Sequence, residues 1–289
     1  MKKQIIFEGC GTALITPFKN GEIDYTALSR LIEAQISGGV DALIVGGTTG
    51  EASTLSDSER YALFEYCKEA VLGRVKLIFG TGTNDTRTAI AHTRAAEKIG
   101  CDGVLVVTPY YNKGTEEGIY RHFYAVSSET ELPVLLYNVP GRTGVNLSRS
   151  VLDRLVRIEN IVGIKEASDS ADRLISLREY GEELHLYAGN DSQAYTVLSL
   201  GGHGVISVLS HPYPDYVSKL CRAYREGDPP LALKMQIEAL EAIRALFSET
   251  NPAPVKFLCS RLGICENELR LPLAPITSLP DFKEPNVII

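Results

Sequence analysis

The sequence lacks any stretch rich in lysine and arginine, and its net charge is −7. A protein that follows a nucleic-acid backbone needs a positive surface to attract phosphate groups, so nucleic acid is not expected as a partner. A long hydrophobic run is lacking too, because near the beginning of the chain only Ile5, Ile6 and Phe7 separate Lys3 from Glu8. Neither the core of a signal peptide nor a membrane span fits into so short a run. We therefore expect a cytoplasmic protein without a membrane partner.

Cysteine pairs and histidine clusters are also missing. The six cysteines form no CxxC pair, and the five histidines form neither an HExxH motif nor a cluster with cysteine. Zinc sites carry such pairs and clusters, and a chain of 289 residues does not need a disulfide framework. We expect reduced, mostly buried cysteines, ordinary packed or surface histidines, and no metal site.

Eight short apolar runs recur along the chain, each followed by turn residues and a helical pattern. Their Val, Ile, Leu and Ala content without polar alternation is typical of strands buried on both faces, as in parallel sheets covered by helices. The runs are 12–15, 42–45, 75–79, 103–107, 134–137, 161–164, 184–187 and 205–208. Eight β-then-α units without a GxGxxG turn predict a closed (β/α)8 TIM barrel of the α/β class. A doubly wound open sheet is the structural alternative.

The helical segments carry recognisable ends. A helix over 24–37 stops at Gly38, and the sequence from Ser56 to Glu59 fits a capping box that opens the next helix. After about residue 227 the strand signal disappears: prolines break the chain, and helical patterns follow over 231–247 and 255–262. We predict a catalytic barrel over 1–226 and a small C-terminal helical extension over 227–289.

Polar residues follow several predicted strands, where barrel enzymes carry their chemistry. Lys165 comes directly after the run 161–164, and a lysine in the barrel mouth can add to a carbonyl group when it is kept uncharged. The alternative is a lysine that reaches solvent and pairs with Glu166. Arg142 could hold a carboxylate through two parallel hydrogen bonds, or could be an ordinary surface arginine.

Two further features lie at the same predicted rim. The loop 46–51 reads GGTTGE, whose glycines, hydroxyls and amide groups suit a small carboxylate. A phosphate site or an ordinary strand-to-helix turn would look similar, although no GKS or GKT lysine marks a nucleotide loop. Tyr111 and Tyr137 could relay protons, since a phenol both donates and accepts; taken singly, either is more often a packing residue.

Four motifs together resemble the dihydrodipicolinate synthase (4-hydroxy-tetrahydrodipicolinate synthase) family, within the pyruvate-dependent aldolases that include N-acetylneuraminate lyase. They are GGTTGE (46–51), TPYYN (108–112), YNVPGRTG (137–144) and GIKEAS (163–168), and the likeness spans nearly the whole chain. The resemblance implies a cytoplasmic lyase that condenses pyruvate with L-aspartate 4-semialdehyde in the diaminopimelate route to lysine, without a metal or cofactor. It also implies a homotetramer built from two tight dimers.

The resemblance assigns the catalytic roles. Lys165 would form the Schiff base with pyruvate, and Tyr137 would donate and accept protons beside it. Thr48 would link Tyr137 to Tyr111, and Tyr111 would reach in from a neighbouring subunit.

The same resemblance assigns the substrate contacts. Thr49 would hold the pyruvate carboxylate and Arg142 the carboxylate of the semialdehyde, while Gly189 and Ile206 would line the pocket. Sister enzymes with the same lysine, such as N-acetylneuraminate lyase and the 2-oxo-3-deoxy sugar acid aldolases, are the functional alternatives. Arg142 favours the carboxylate-bearing aldehyde over them.

Two more distant alternatives are a non-catalytic metabolite sensor and a phosphosugar isomerase. Decay of function would have removed some of the residues above, which speaks against a sensor. An isomerase would carry a glycine-rich phosphate site after strands seven and eight, where only the sequence Gly201, Gly202, His203, Gly204 is weakly reminiscent of one.

Many members of the family are inhibited by lysine at the dimer interface. Asn84 and Tyr110 fit that site, whereas Asp57, Arg60 and Thr88 differ from the residues usual in lysine-sensitive forms. Threonine in place of glutamate removes a carboxylate partner for the lysine ammonium group. We predict weak or absent feedback inhibition.

Overall fold

Eight parallel strands close into a barrel in the computed structural model of the chain, which describes residues 2–285. The strands are β1 (Gly9–Ala13), β2 (Phe18–Lys19), β3 (Glu22–Ile23), β4 (Ala42–Val45), β5 (Lys76–Gly80), β6 (Gly103–Val107), β7 (Val134–Asn138), β8 (Ile161–Glu166), β9 (His185–Ala188) and β10 (Gly204–Ser207). The barrel order is β1-β10-β9-β8-β7-β6-β5-β4, and β2 pairs with β3 in a separate hairpin. The closed barrel confirms the predicted fold and excludes the open sheet.

Helices follow the barrel strands and cover the outside of the barrel. They are α1 (Tyr25–Ser37), α2 (Asp57–Val71), α3 (Thr86–Ile99), α4 (Glu116–Ser127), α5 (Pro140–Thr143), α6 (Arg149–Leu155), α7 (Ala171–Leu177), α8 (Ala194–Ser199), α9 (Pro214–Arg225), α10 (Pro229–Leu246) and α11 (Ala253–Arg261). The predicted capping box is present: the Ser56 side chain accepts from the backbone N–H of Glu59, and the Glu59 side chain accepts from the backbone N–H of Ser56.

The first predicted strand was wrong in its bounds. Strand β1 covers Gly9–Ala13, three residues before the predicted start at residue 12. Glycines gave no strand signal, yet Gly9 pairs with Gly204 on β10, where a Cβ on Gly204 would lie 2.0 Å from the Gly9 carbonyl oxygen. The two backbones can approach this closely because Gly204 has no Cβ, while a Cβ on Gly9 would instead lie 2.2 Å from the Asp41 carboxylate.

The C-terminal helices begin earlier than predicted. Helix α10 starts at Pro229 rather than at residue 231, and α11 starts at Ala253 rather than at residue 255. Proline fits the first turn of a helix, where its missing N–H has no intrahelical partner to lose, so Pro229 and Pro230 open α10 rather than break the chain before it. The side chain of Asp228 caps that helix by accepting from the backbone N–H of Leu231 at 3.0 Å. Met1 and the last four residues of the predicted extension, 286–289, lie outside the described residues.

Side chains from the strands form two separate cores. Ile44, Ile78, Leu105 and Leu135 belong to a cluster inside the barrel, while residues such as Phe79 belong to the larger cluster between the barrel and its helices. Alternate residues of a strand point to opposite faces, and here both faces are apolar. The continuous apolar runs in the sequence follow from this arrangement. All six cysteines are buried and free, and within residues 2–285 no helix is both long and apolar enough to cross a bilayer.

His211 joins the carboxyl ends of β1 and β10. Its Nε2 accepts from the backbone N–H of Ile15 at 3.0 Å, and its Nδ1 lies 2.8 Å from the carbonyl oxygen of Val208. The ring is therefore neutral, with its proton on Nδ1. Burial lowers the pKa of His211 to about 4.

We expect the protein to lose stability as the pH falls from about 6.5 to about 4. The unfolded chain takes up a proton at His211 over this range whereas the folded chain does not, and the loss from this residue alone is on the order of 3 kcal/mol. Urea unfolding at a series of pH values measures it. His211→Gln keeps a donor and an acceptor but does not titrate. Between pH 6.5 and pH 4 the variant should therefore take up about one proton fewer on unfolding, which lowers the slope of its unfolding free energy against pH. An unchanged slope would contradict this role of His211.

Candidate active site

Lys165 and Tyr137 are neighbours at the barrel mouth. They are paired in register on the adjacent strands β8 and β7, so their side chains point into the barrel side by side. The Lys165 Nζ lies 4.3 Å from the centre of the Tyr137 ring. Lys165 is 6% exposed and Tyr137 is 7% exposed. The arrangement places a buried amine beside a phenol, as carbonyl addition followed by proton transfer requires.

Lys165 does not pair with Glu166, the alternative that the sequence left open. Consecutive strand residues face opposite sides of the sheet, and Glu166 lies outside the barrel wall, where Asn138 Nδ2 donates to its carboxylate at 2.9 and 3.0 Å. Arg173 Nε lies 3.2 Å from the same carboxylate. The charge of Glu166 is therefore satisfied by Arg173.

A cavity of about 310 Å³ opens beside Tyr137. Its wall includes Thr48, Tyr137, Arg142, Asn251 and the glycines at 46 and 47. Its volume suits a small ligand rather than a polymer. Lys165 itself does not line the cavity. Its amine lies against the ring of Tyr137, which does line the cavity.

The loop 46–51 has a backbone that only certain residues allow. Gly46 has φ +68°, and a Cβ there would lie 2.7 Å from the Phe64 ring. Glu51 has φ +54°, a left-handed conformation that costs a residue with a Cβ roughly 1 kcal/mol or more. Between them Thr48 lines the cavity, and the buried Thr49 hydroxyl accepts from Asn251 Nδ2 at 2.9 Å.

Arg142 supplies a cation at the edge of the cavity. It lies in the short helix α5, and its Nη2 donates to the backbone oxygen of Asn251 at 3.1 Å. Within residues 2–285 no carboxylate forms an ion pair with it, so the remaining guanidinium donors are available to an anionic ligand.

Three predicted site residues do not line this cavity. Tyr111 is 88% exposed with φ +70° and does not line the cavity of its own chain. Ile206 is fully buried in the cluster inside the barrel that also contains Tyr137. Gly189 follows β9, and its backbone N–H donates to the backbone oxygen of Glu166 at 2.7 Å. A Cβ on Gly189 would lie 2.6 Å from the Cβ of Ala167.

Two residues of the site had no signal in the sequence. Asn251 contacts both Thr49 and Arg142. Lys256 forms a fully buried ion pair with Glu51, the last residue of the loop, at 2.5 Å. Lys256 lies on α11 and Asn251 in the loop before it, both about 200 residues along the chain from the loop 46–51.

The predicted lysine site lies next to this cavity. Tyr110 lines the cavity, and its hydroxyl is 3.5 Å from that of Thr83, while Asn84 accepts at its backbone oxygen from Asn112. The guanidinium of Arg60 is buried here and donates to the backbone oxygens of residues 52 and 80. Thr88 donates its hydroxyl proton to Asp85 and contributes no carboxylate.

Comparisons with known proteins show similarity to one family along almost the full chain. The model of the dihydrodipicolinate synthetase family matches residues 6–281. A 4-hydroxy-tetrahydrodipicolinate synthase from Alkaliphilus oremlandii is 44% identical over 290 residues, covering 98% of this chain and 100% of that protein. The solved structure of the 4-hydroxy-tetrahydrodipicolinate synthase from Methylacidiphilum fumariolicum SolV is 46% identical, with a TM-score of 0.92 and coverage of 94% of this chain and 91% of that one. The dihydrodipicolinate synthase from Acinetobacter baumannii, solved as a complex with pyruvate, is 40% identical, with a TM-score of 0.91 and coverage of 94% of each chain.

Proposed function

Because the chain belongs to the dihydrodipicolinate synthetase family, we propose that it is a lyase of the aldolase type that condenses pyruvate with L-aspartate 4-semialdehyde. The product is 4-hydroxy-tetrahydrodipicolinate, and the reaction belongs to lysine biosynthesis through diaminopimelate. The observation that carries the proposal is the buried Lys165 amine 4.3 Å from the Tyr137 ring, at the mouth of the barrel.

The chemistry begins at this amine. Lys165 Nζ adds to the ketone carbon of pyruvate, and loss of water leaves an iminium whose positive nitrogen acidifies the methyl group. Loss of a methyl proton gives an enamine, which attacks the aldehyde carbon while the aldehyde oxygen takes up a proton. The substrate amine then adds to the iminium carbon, and ring closure releases Lys165. The iminium nitrogen is the electron sink, so the proposal needs no metal or cofactor.

The remaining residues hold the substrates and move protons. Tyr137 exchanges protons at the imine, and Thr48, which lines the same cavity, links Tyr137 to Tyr111. Thr49 holds the pyruvate carboxylate, and Arg142, which has no carboxylate partner within residues 2–285, holds that of the semialdehyde. The family resemblance also assigns Gly189 and Ile206 to the pocket, although neither lines the cavity beside Tyr137.

Tyr111 would make catalysis depend on the association of two copies of the chain. Its exposed side chain and left-handed backbone are what we expect of a residue that enters the site of a second copy. We propose a tight dimer that exchanges Tyr111, with two dimers forming a tetramer, in the cytoplasm.

A coupled assay with pyruvate and aspartate semialdehyde, run beside N-acetylneuraminate cleavage, tests the proposed function. Turnover in the first assay alone is the expected result, because Arg142 offers a partner for a carboxylate-bearing aldehyde. Turnover only with N-acetylneuraminate would reassign the function to a sister aldolase, while leaving the lysine chemistry intact.

We also expect lysine at millimolar concentration to leave the condensation rate almost unchanged. The buried Arg60 cation and the missing carboxylate at Thr88 disfavour an ammonium ligand. An inhibition curve for the condensation measures this. Thr88→Glu introduces a carboxylate and should gain sensitivity; a steep loss of rate in the unaltered protein at millimolar or lower lysine would contradict the prediction.

A further inference from the structure

Asn251 connects two residues that the proposed function gives to two different substrates. It lies between α10 and α11 and is 6% exposed. Its side-chain Nδ2 donates to Thr49 Oγ1 at 2.9 Å, and its backbone oxygen accepts from Arg142 Nη2 at 3.1 Å. A single residue of the loop between α10 and α11 therefore contacts both the loop after β4 and the helix after β7.

The bond to Thr49 decides which way the threonine hydroxyl can act. A hydroxyl has one proton and two lone pairs. Because a lone pair of Thr49 Oγ1 accepts from Asn251, the hydroxyl proton is left for another acceptor. A carboxylate only accepts hydrogen bonds, so a pyruvate carboxylate requires Thr49 as a donor.

The segment that carries Asn251 is anchored firmly. Lys256, five residues further on, forms the buried ion pair with Glu51 and donates to the backbone oxygen of Glu268 at 2.9 Å. The C-terminal helices thus contact the loop 46–51 at two points, Thr49 and Glu51. This second contact fixes the distance over which the Asn251 amide reaches Thr49.

We infer that Asn251 is a positioning residue that sets the Thr49 hydroxyl as a hydrogen-bond donor to the keto-acid carboxylate while its backbone oxygen orients Arg142. The inference rests on the proposed function. It predicts that the chemical character of residue 251, rather than its size, controls the affinity for pyruvate.

Asn251→Asp and Asn251→Ala distinguish a role in orienting the Thr49 hydroxyl from a purely structural role. A carboxylate at this position would take the Thr49 proton and present a lone pair to the substrate, whereas alanine would leave the hydroxyl free to rotate. We expect the half-saturating pyruvate concentration to rise about 10- to 100-fold for Asn251→Asp and clearly less for Asn251→Ala, since bonds to charged groups are the stronger ones. A purely structural role gives the opposite order, because aspartate matches asparagine in shape.

The measurement uses pyruvate alone. Borohydride reduction traps the imine on Lys165, and mass spectrometry of the full-length protein follows the adduct as the pyruvate concentration is varied, so that Arg142 and the aldehyde do not contribute. Asn267→Asp is the matched control: this asparagine donates to the Ile276 backbone oxygen in the same C-terminal segment and does not line the cavity. Its pyruvate dependence should equal that of the unaltered protein.

A double-mutant cycle measures the coupling between residues 49 and 251, which a general folding defect would not change. In the Thr49→Val background no hydroxyl remains to be oriented, so the penalty of Asn251→Asp should shrink at least severalfold. The inference is overturned if Asn251→Asp saturates like the unaltered protein, if it is no worse than Asn251→Ala, or if the two substitutions are additive. Absence of any adduct in the unaltered protein would instead overturn the proposed function itself.

Discussion

Lys165→Met should abolish turnover, lowering kcat/KM by about 10⁴-fold or more, while leaving the barrel folded. Methionine has nearly the length of lysine but no amine, and residue 165 is only 6% exposed, so an apolar side chain suits its surroundings. Every covalent step in the proposed reaction uses the Lys165 nitrogen. The coupled condensation assay measures the loss, and urea unfolding shows that the variant retains its fold.

Trapping of the imine provides the direct observation. With pyruvate and borohydride, the unaltered protein should gain the mass of one reduced pyruvate adduct per chain, located on the peptide that contains Lys165. Lys234→Met, which removes an exposed lysine of α10, should trap pyruvate normally. An adduct on another lysine, or turnover that survives Lys165→Met, would refute the role given to this amine.

The fold could be predicted because its signals are local. Each barrel strand is a short apolar segment, and because barrel enzymes carry their chemistry at the carboxyl ends of strands, the residues after those segments are the candidate site residues. Lys165 and Tyr137 are neighbours in the structure because their strands are adjacent and in register. That pairing follows from the order of units in a barrel, which the sequence pattern already contains.

Contacts between distant segments could not be predicted in this way. The bonds from Asn251 to Thr49 and to Arg142 span 202 and 109 residues, and no local pattern marks an asparagine in a loop as part of a site. The bounds of β1 escape prediction for a related reason, since the Cβ positions of its glycines are blocked by side chains about 30 residues away, Asp41 for Gly9 and Ile44 for Gly11. Tyr111 is a third case, because its predicted partner belongs to a second chain.

Glu51 is the residue whose role the sequence most understated. The glycines and hydroxyls of the motif 46–51 suit a ligand, whereas the carboxylate that ends the motif is buried against Lys256, with both side chains 0% exposed and 2.5 Å apart. Glu51 Oε2 also accepts from the backbone N–H of Arg270 at 3.0 Å. Lys256 lies 4.1 Å from the centre of the Phe18 ring, and burial is the main cause that lowers its pKa. The C-terminal helices thereby hold a left-handed residue at the end of the loop in place.

Lys256→Met should therefore destabilise the protein by about 3–5 kcal/mol, because the substitution leaves the Glu51 carboxylate buried without its partner. This loss of unfolding free energy arises from the unpaired charge rather than from the lost attraction. Buried pairs replaced together are often close to neutral in stability, so Glu51→Gln combined with Lys256→Met should recover most of the stability lost in Lys256→Met. Urea unfolding of the two single variants and the double variant measures this. A single variant within about 1 kcal/mol of the unaltered protein, or a double variant as unstable as the sum of the singles, would show that the pair does not stabilise the loop. If the pair does hold the loop, Lys256→Met should also raise the half-saturating pyruvate concentration, because Thr49 lies two residues before Glu51 and depends on the same backbone.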